Sequence, residues 1–490
     1  MLLLAVIIGI VFATWGALRW IGSRKNAAGI STSVAARAVQ IGGLATRSAA
    51  RKAALRMRQV ISSKEKKAEL EHRYHLQTAT EITEAMGQMK GVFMKLGQVL
   101  SFAKETLPPE ARKVLEGLQK DAPPMAFALV RGVVEGDLGG KLEDHFAAFD
   151  EEPIAAASIG QVHRARLPSG AEVVVKVQYP GVAEAIRSDL RFTGGLVQMA
   201  SMFFRNTDSE AMVKELADRL KDELDYRLEA DSQERFRAVW DGHPLIRIPK
   251  VHRSHSAARV LTQDFADGLS FYDFLAVATA EEKRLAMLVL NDFVFDSMHL
   301  FDMFNGDPHP GNYLFHPDGG VTFLDFGCVK RFDGPFMHDL RELNQAIVVE
   351  DKARFEAALK KTQIILPGRP YDEASAWEFF GYHARPFAKD QIFAFDEAYL
   401  LEAAEVMKVA NIRKFNLPPD LVFFNRITFG LNAIFAKLGA KENFHRYYLR
   451  YIFRERNVPP ALAQAGVALP ERFLDARPWP VERDDRAAQP

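Results

Sequence analysis

The stretch from Phe304 to Gly327 constrains the fold of this 490-residue chain more than any other. A polar loop, Asn-Gly-Asp-Pro-His-Pro-Gly-Asn, is followed by two short apolar runs that flank the turn His-Pro-Asp-Gly-Gly. Short apolar runs on either side of such a turn predict a β-hairpin. Because a hairpin returns the chain to its starting point, Asp325 is predicted to lie beside Asn312.

The polar side chains of this stretch suit a divalent cation and a reacting hydroxyl. Asp307 and Asn312 have the spacing of a kinase catalytic loop, and Asp325 opens an Asp-Phe-Gly motif. Carboxylate and amide oxygens are ligands of Mg²⁺, which predicts Asn312 and Asp325 as metal ligands. Asp307 is predicted to orient or deprotonate the hydroxyl. Either motif alone can occur by chance. The occurrence of both in this order favours a functional site over a polar loop without function.

Composition limits the class of protein. Hydrophobic residues make up 48% of the chain, enough for a large core, and the length predicts about two to four domains. The 63 basic and 63 acidic residues balance, so the whole chain does not have the charge of a nucleic-acid binder. The single cysteine, Cys328, excludes an intramolecular disulfide framework and cysteine-based zinc sites.

The N-terminal residues predict a membrane anchor. Residues 1–22 are almost wholly apolar and are just long enough to span a bilayer as a helix. Arg19, Arg24 and Lys25 end or follow this stretch, which favours an uncleaved single-pass anchor with the remaining chain on the cytoplasmic side, as in a bacterial inner membrane. A signal peptide and a packed N-terminal helix are the alternatives.

Two further segments precede the predicted kinase-like lobes. Residues 23–80 include a strongly basic stretch, which would attract anionic lipid head groups or form a solvated helix face. Residues 81–102 have a helical apolar period. Lys95 and Gln98 lie on the polar face of this helix beside Gly97, where they could dock onto a second surface.

The residues from 146 onwards predict the small lobe of a kinase-like fold. Strands are predicted over 146–152, 162–167 and 172–178, and Lys176 has the position of the phosphate-gripping lysine in the kinase pattern Val-Ala-Ile-Lys. The loop between the first two strands contains three alanines where a protein kinase has glycines, so we expect a stiffer loop. Gln263 lies in the predicted hinge, where backbone groups would meet adenine.

These motifs together resemble the UbiB family of atypical kinases, also called the AarF family. The resemblance covers about residues 80–455 and rests on four marks: Lys95-Leu96-Gly97-Gln98, Ala155-Ala156-Ala157-Ser158, Glu223-Leu224-Asp225-Tyr226, and the two loops that contain Asp307, Asn312 and Asp325. Family members are linked to ubiquinone biosynthesis and lipid homeostasis in bacteria, mitochondria and plastids.

The resemblance implies an α+β, two-lobed protein-kinase-like fold with a helical N-terminal extension, in addition to the predicted N-terminal transmembrane helix. The predicted segments are an anchor over 1–22, a basic juxtamembrane segment over 23–80, the extension over 81–145, an N-lobe with a helical insertion over 146–265, a helical C-lobe over 266–457 and a loose tail over 458–490. Within the lobes, the apolar pattern predicts helices over residues 212–224 and 281–304. Leu417-Pro418-Pro419-Asp420 predicts the start of a further helix.

The resemblance also implies roles for residues that spacing leaves open. Glu215, Asp218, Asp222, Glu223 and Asp225 are all acidic candidates for pairing with Lys176, and the family likeness selects Glu223. It further implies that Ala155, Ala156, Ala157 and Ser158 contact nucleotide. Lys95, Gly97 and Gln98 would belong to an extension that covers the active site and blocks protein substrates.

The segment after Gly327 departs from ordinary protein kinases. It lacks the Ala-Pro-Glu motif, and no Ser, Thr or Tyr occurs from Cys328 to Lys361. Activation by phosphorylation of this segment is therefore excluded, since no hydroxyl is available.

The expected function is that of a membrane-associated, ATP- and Mg²⁺-dependent kinase-like enzyme that hydrolyses ATP or phosphorylates a small or lipid-like substrate. Anionic membrane lipids, quinone precursors and biosynthetic proteins are the expected partners. An aminoglycoside- or choline-kinase-like phosphotransferase is one alternative, since that class also uses Asp-x-His-x-Gly-Asn and a later Asp. A non-catalytic, nucleotide-switched lipid chaperone or scaffold is the other.

Overall fold

The computed structural model describes residues 125–157, 159–190, 209–331, 334–366, 368, 371–406, 418–439, 441–453 and 470–473. The predicted anchor, the basic segment, Ser158, and the helix with Lys95, Gly97 and Gln98 lie outside the described residues. Among the helices that are described, none is both long and apolar enough to cross a bilayer.

The described elements mix helices with short strands. The helices are α1 Phe127–Leu138, α2 Leu142–His145, α3 Val182–Leu190, α4 Ser209–Asp222, α5 Tyr226–Val239, α6 Phe271–Val277, α7 Ala280–Phe301, α8 Gly334–Val348, α9 Lys352–Lys361, α10 Glu373–Ala388, α11 Glu397–Val406, α12 Pro419–Leu438 and α13 Phe444–Ile452. The strands are β1 Ala148–Phe149, β2 Ala155–Ala157, β3 Gly160–Arg166, β4 Glu172–Gln178, β5 Ile246–Arg247, β6 Val260–Asp264, β7 Met303–Asn305, β8 Tyr313–Phe315, β9 Val321–Phe323, β10 Val329–Arg331, β11 Phe393–Ala394 and β12 Lys441–Glu442.

These elements form two compact units. Within the described ranges, the first unit contains residues up to 190 together with 216–224 and 257–261, and the second contains 209–215, 225–256 and the residues from 262 onwards. The predicted α+β, kinase-like class is confirmed.

The first unit is built on a sheet with the strand order β1-β3-β4-β6, in which β1, β2 and β4 each pair antiparallel with β3. Val173, Val175 and Val177 alternate along β4 and point into a core shared with Val130 and Val134 of α1. Alternation of this kind is expected where one face of a strand is buried. The strand predicted over residues 172–178 is confirmed, with the same bounds.

The alanine-rich segment differs from the predicted loop, because part of it is strand. Ala155–Ala157 forms β2, in antiparallel register with Val162, Gln161 and Gly160 of β3. The backbone therefore folds into a tight hairpin at Gly160. A Cβ atom there would lie 2.2 Å from the carbonyl oxygen of Val177, so this position has no room for a side chain.

The predicted helix over residues 212–224 ends earlier than expected. Helix α4 stops at Asp222, and Glu223 and Leu224 lie in a turn. Asp225 then caps the next helix, because its side chain accepts a hydrogen bond from the Arg227 backbone N–H. The acidic motif therefore lies in a break between two helices.

Helix α7 is the central helix of the second unit. It begins with a capping box between Thr279 and Glu282 and is buried continuously from Leu285 to its end at Phe301. Asp302 adopts a left-handed conformation with φ of 51°, which stops the helix. The prediction of a helix from Glu281 is confirmed, but its last two predicted residues, Met303 and Phe304, belong to β7.

The C-terminal half is mostly helical, as predicted, and α12 begins with Pro419 at its first position. The loose tail over 458–490 stays a prediction, because the structure describes only residues 470–473 of it. Residues Glu471–Phe473 form a 3₁₀ turn, and Phe473 is buried and stacks on Trp240 with 5.4 Å between the ring centroids. Stacking of this kind stabilises the position of the Phe473 ring.

His383 on α10 is a buried histidine in this helical region. Its ring packs edge-on against Phe379 and Phe429, and neither ring nitrogen has a hydrogen-bond partner among the described residues. Burial disfavours the charged imidazolium and lowers the pKa of His383 to about 3.

We expect Gly160→Ala to destabilise the protein by about 1–3 kcal/mol, since the added methyl meets rigid backbone. Gly132→Ala is the matched control: it lies within α1, no neighbouring atom of the described residues lies within 4 Å of the added methyl group, and the change should stabilise the protein by about 0.5–1 kcal/mol. Chemical denaturation measures both changes, and equal effects of the two substitutions would contradict the packing argument.

The His383 pKa predicts a specific loss of stability in acid. Because the folded pKa lies below the ordinary value of about 6.5, its stabilising contribution is full above that value and declines as the pH falls towards 3. His383→Gln, which cannot titrate, should flatten the dependence of the unfolding midpoint on pH between these limits. The native protein, measured over the same pH range, provides the reference slope, and an unchanged slope in His383→Gln would contradict the burial argument.

Candidate active site

Two backbone connections hold the polar loop of residues 305–312 against the Asp-Phe-Gly segment. Strand β7 pairs antiparallel with β10, in a register that places Phe304 opposite Lys330. Beyond the strand, the Gly306 N–H donates to the Cys328 carbonyl oxygen at 2.8 Å. The two loops therefore leave a common two-stranded ladder.

The predicted hairpin is present and brings Asn312 close to the chain before Asp325. Strands β8 and β9 pair with Tyr313 opposite Phe323, and the Leu324 N–H donates to the Asn312 carbonyl oxygen at 3.0 Å. Because register is fixed by this pairing, the residue after β9 returns to the residue before β8.

Asp307 and Asn312 are joined directly. The Asn312 side-chain amide donates to the Asp307 carboxylate and to the Asp307 carbonyl oxygen, both at 3.1 Å. The amide nitrogen of Asn312 donates both of these hydrogen bonds to Asp307. The amide oxygen of Asn312 takes part in neither of them. The Asp307 carbonyl also accepts the His309 backbone N–H at 2.8 Å, which closes the turn.

Two hydrogen bonds, from Asn305 and from Gly327, hold Asp325 in place. The Asn305 amide donates to the Asp325 carbonyl oxygen at 2.7 Å, and the Gly327 N–H donates to the Asp325 carboxylate at 3.0 Å. Residues from both loops thus fix the orientation of this aspartate. The possible metal ligands of the site are the carboxylate and amide oxygens of Asp307, Asn312 and Asp325. Mg²⁺ prefers oxygen ligands of this kind.

Glu229 is a site residue that the sequence reasoning missed. It is only 5% exposed and lies in the first turn of α5, with its carboxylate 3.4 Å from where a Cβ atom would lie on Gly327. The Glu229 side chain therefore packs directly beside the glycine of the Asp-Phe-Gly segment. The sequence carries no signal for this residue, since Glu229 and Gln233 are polar positions that α5 buries together with Tyr226 and Ala230.

The lysine and the acidic turn belong to the first unit. Lys176 lies on the face of β4 opposite the valine core, and this face also contains Gln178. Gln178 is buried and donates to the Leu224 carbonyl oxygen at 3.1 Å, which fixes the turn that contains Glu223. Glu223 therefore precedes Leu224, whose carbonyl oxygen is bound to the face of β4 that contains Lys176.

The other acidic candidates have cationic partners of their own. Their ion pairs are Glu215 with Lys330, Asp218 with Lys221, Asp222 with Arg219 and Asp225 with Arg227. These ion pairs do not decide which carboxylate pairs with Lys176, so the choice of Glu223 stays a prediction that rests on the family likeness.

The predicted hinge residue Gln263 is fixed by its side chain. Its amide oxygen accepts from Gln233 at 2.7 Å, and Gln233 also donates to the Pro249 carbonyl oxygen at 2.8 Å. The His252 N–H binds the Thr262 carbonyl, which is the bonding pattern of an antiparallel bridge at Gln263. In such a bridge the backbone N–H and C=O of Gln263 itself point away from that neighbour.

Helix α12 contacts the polar loop at Pro308. A Cβ atom on Gly430 would lie 2.2 Å from Cγ of Pro308, so helix and loop are in direct contact at this glycine. Only a residue without a side chain permits this close approach.

Each unit contains a separate group of the predicted site residues. Asp307, Asn312, Asp325 and Gln263 lie in the second unit, and Ala155–Ala157, Lys176 and Glu223 lie in the first. The lysine-bearing strand, the Asp-x-x-x-x-Asn loop and the Asp-Phe-Gly segment together define the class: a kinase-like protein of the atypical type, without an activation segment.

The comparisons with known proteins identify the family within this class. Residues 117–359 match the model of the ABC1 atypical kinase-like domain. A solved Mycobacterium tuberculosis protein, in complex with erythromycin, is 31% identical with a TM-score of 0.58, and the match covers 80% of this chain and 98% of that one. The chain belongs to the ABC1 atypical kinase-like family, also known as the UbiB or AarF family.

Other relatives are longer than the region they share with this chain. The mitochondrial atypical kinase COQ8 of Saccharomyces cerevisiae is 32% identical over 273 residues, which cover 55% of this chain and 54% of COQ8. An uncharacterized Synechocystis protein is 27% identical, and the match covers 74% of this chain and 62% of that protein. The chain thus spans little more than half of these two relatives.

The contact at Gly430 predicts an effect on the polar loop. Gly430→Ala should displace Pro308, lower stability by about 1–3 kcal/mol and speed hydrogen exchange at the Asn312 amide. Gly381→Ala on α10 is the control, since no neighbouring atom of the described residues lies within 4 Å of the added methyl group, and it should leave exchange in the loop unchanged. Unchanged exchange in both variants would show that the loop does not depend on α12.

Proposed function

We propose that this protein binds ATP with Mg²⁺ and either hydrolyses the terminal phosphate or transfers it to a small or lipid-like acceptor. The observation that carries the proposal is the hydrogen bond from Asn312 to Asp307, in a loop that the hairpin and Asn305 join to Asp325. This is the set of groups that phosphoryl transfer requires.

Each residue has a role that follows from its chemistry. Asn312 and Asp325 would hold Mg²⁺, which neutralises charge on the phosphates when it is bound. Asp307 would accept the proton of the attacking hydroxyl or water, with its carboxylate oriented by the Asn312 amide.

The first unit would supply the nucleotide contacts. Lys176 would bind phosphate as a point charge, and Glu223 would orient the ammonium group. The β2–β3 hairpin with Ala155–Ala157 would cover the phosphates with a backbone that is stiffer than a glycine loop. The backbone of Gln263 would meet the adenine.

The proposed acceptor is small because the N-terminal extension would cover the path to Asp307. Lys95, Gly97 and Gln98 would lie on a helix that docks over the site, so Lys95→Ala would alter nucleotide preference or autophosphorylation. The apolar residues 1–22 would anchor the protein, and the basic residues after them would bind anionic lipids. Ubiquinone or lipid metabolism is the proposed setting, with quinone precursors as candidate substrates.

A second candidate function is nucleotide-dependent binding of a bulky organic molecule with negligible turnover. The observation that favours it is the Mycobacterium tuberculosis relative, which was solved with erythromycin bound. Measuring both ATP affinity and ATP turnover, with and without anionic liposomes, separates the two functions. An enzyme shows ATP turnover that rises when its acceptor is present, whereas a binding protein binds ATP with negligible turnover.

Asp325→Asn should reduce Mg²⁺-dependent ATP turnover at least about 100-fold, because even residues behind a metal ligand typically contribute 10–100-fold. The matched control is Asp318→Asn in the turn of the same hairpin, where the carboxylate pairs with Arg247 at the surface. The control should retain nearly full turnover. Undiminished Mg-ATP binding and turnover by Asp325→Asn would refute the metal assignment.

A further inference from the structure

Lys330 occupies an unusual position in the strand that follows the Asp-Phe-Gly segment. It lies in the middle of β10, opposite Phe304 of β7, and is only 7% exposed. A lysine in a three-residue strand is normally at the surface. Here its ammonium group is drawn inwards by two carboxylates.

The two carboxylates come from different helices. Glu215 of α4 lies 2.8 Å from the Lys330 Nζ atom, and Asp420 in the first turn of α12 forms a second ion pair with it. Both acidic side chains are themselves less than one third exposed. Ion pairs shielded in this way are screened by salt much less than surface pairs.

These ion pairs complete a closed set of contacts around the two loops. Strand β10 is attached to β7 and, through Cys328, to Gly306 at the start of the polar loop. Lys330 fastens β10 to α12, and α12 packs Gly430 against Pro308 in the same polar loop. A displacement of β10 would therefore disturb both loops.

In regulated protein kinases, the segment after Asp-Phe-Gly is ordered when a phosphate group pairs with arginine. This chain has no hydroxyl residue from Cys328 to Lys361 that could receive a phosphate. The charge pairing is nevertheless present, with the signs exchanged: the cation lies on the segment and the anions lie on the surrounding helices.

We propose that Lys330, Glu215 and Asp420 form a permanent ionic clamp that positions the metal-binding loop and replaces activation by phosphorylation. Lys330 is a positioning residue, since it acts through β10 and not on the reacting atoms. Its effect on metal binding rests on the proposed function, whereas its effect on loop order does not.

The test uses the full-length protein with Lys330→Met, Lys330→Arg and the exchange Lys330→Glu with Asp420→Lys. The first readout is hydrogen exchange without nucleotide. Lys330→Met should speed exchange at Gly306 and Gly327 selectively, whereas Lys330→Arg and the charge exchange should restore protection. Lys361→Met removes an exposed ion pair with Glu342 and should leave both amides unchanged.

The second readout is the Mg²⁺ concentration at which ATP binding is half-maximal. Lys330→Met should raise it about tenfold, as expected for a group behind a metal ligand, and should change metal-free nucleotide affinity less than about twofold. Lys330→Arg should stay close to the native protein.

The outcomes separate the clamp from the proposed function. If native protein shows no Mg²⁺-dependent ATP binding, the proposed function fails, and the exchange measurement still decides the clamp. Equal exchange in Lys330→Met and Lys361→Met would overturn the clamp. Faster exchange throughout the second unit, without selectivity for Gly306 and Gly327, would reduce Lys330 to a general stabilising residue and would overturn it as well.

Discussion

The described site depends on one backbone ladder, the short antiparallel pairing of β7 with β10. The polar loop starts where β7 ends, and the Asp-Phe-Gly segment ends where β10 begins. Pairing of these strands therefore sets the distance between the two loops before any side chain contributes. The bonds from Gly306 to Cys328 and from Asn305 to Asp325 extend this pairing into the loops. Side-chain chemistry at Asp307 and Asn312 is arranged on this backbone.

Local patterns in the sequence predicted the parts of the fold that are governed by local chemistry. The hairpin after Asn312, the strand around Lys176 and the start of α12 at Pro419 follow from turn residues, β-branched runs and a proline. The same patterns placed the end of α4 too late in the chain. The helix ends at Asp222 because Asp225 caps α5 with a hydrogen bond that one continuous helix would not form. The alanine-rich segment became strand since Val162 and its neighbours offered a pairing edge.

Contacts between distant residues could not be predicted from one sequence. Glu229 reaches Gly327 across nearly one hundred positions of the chain, and Phe473 stacks on Trp240 from an otherwise featureless tail. Neither contact has a local motif, because tertiary packing decides which surface residues become buried. Gly430 is a similar case, since its importance appears only when Pro308 is placed against it.

The position of Cys328 has a practical consequence for studies of this protein in solution. It is the only thiol in the chain, it is buried, and its sulfur faces the place where Gly306 would bear a side chain, at 3.4 Å. A thiol reagent can reach it only when the backbone of the two loops separates. The rate of alkylation therefore reports opening at this junction alone, with no engineered label and no background from other cysteines.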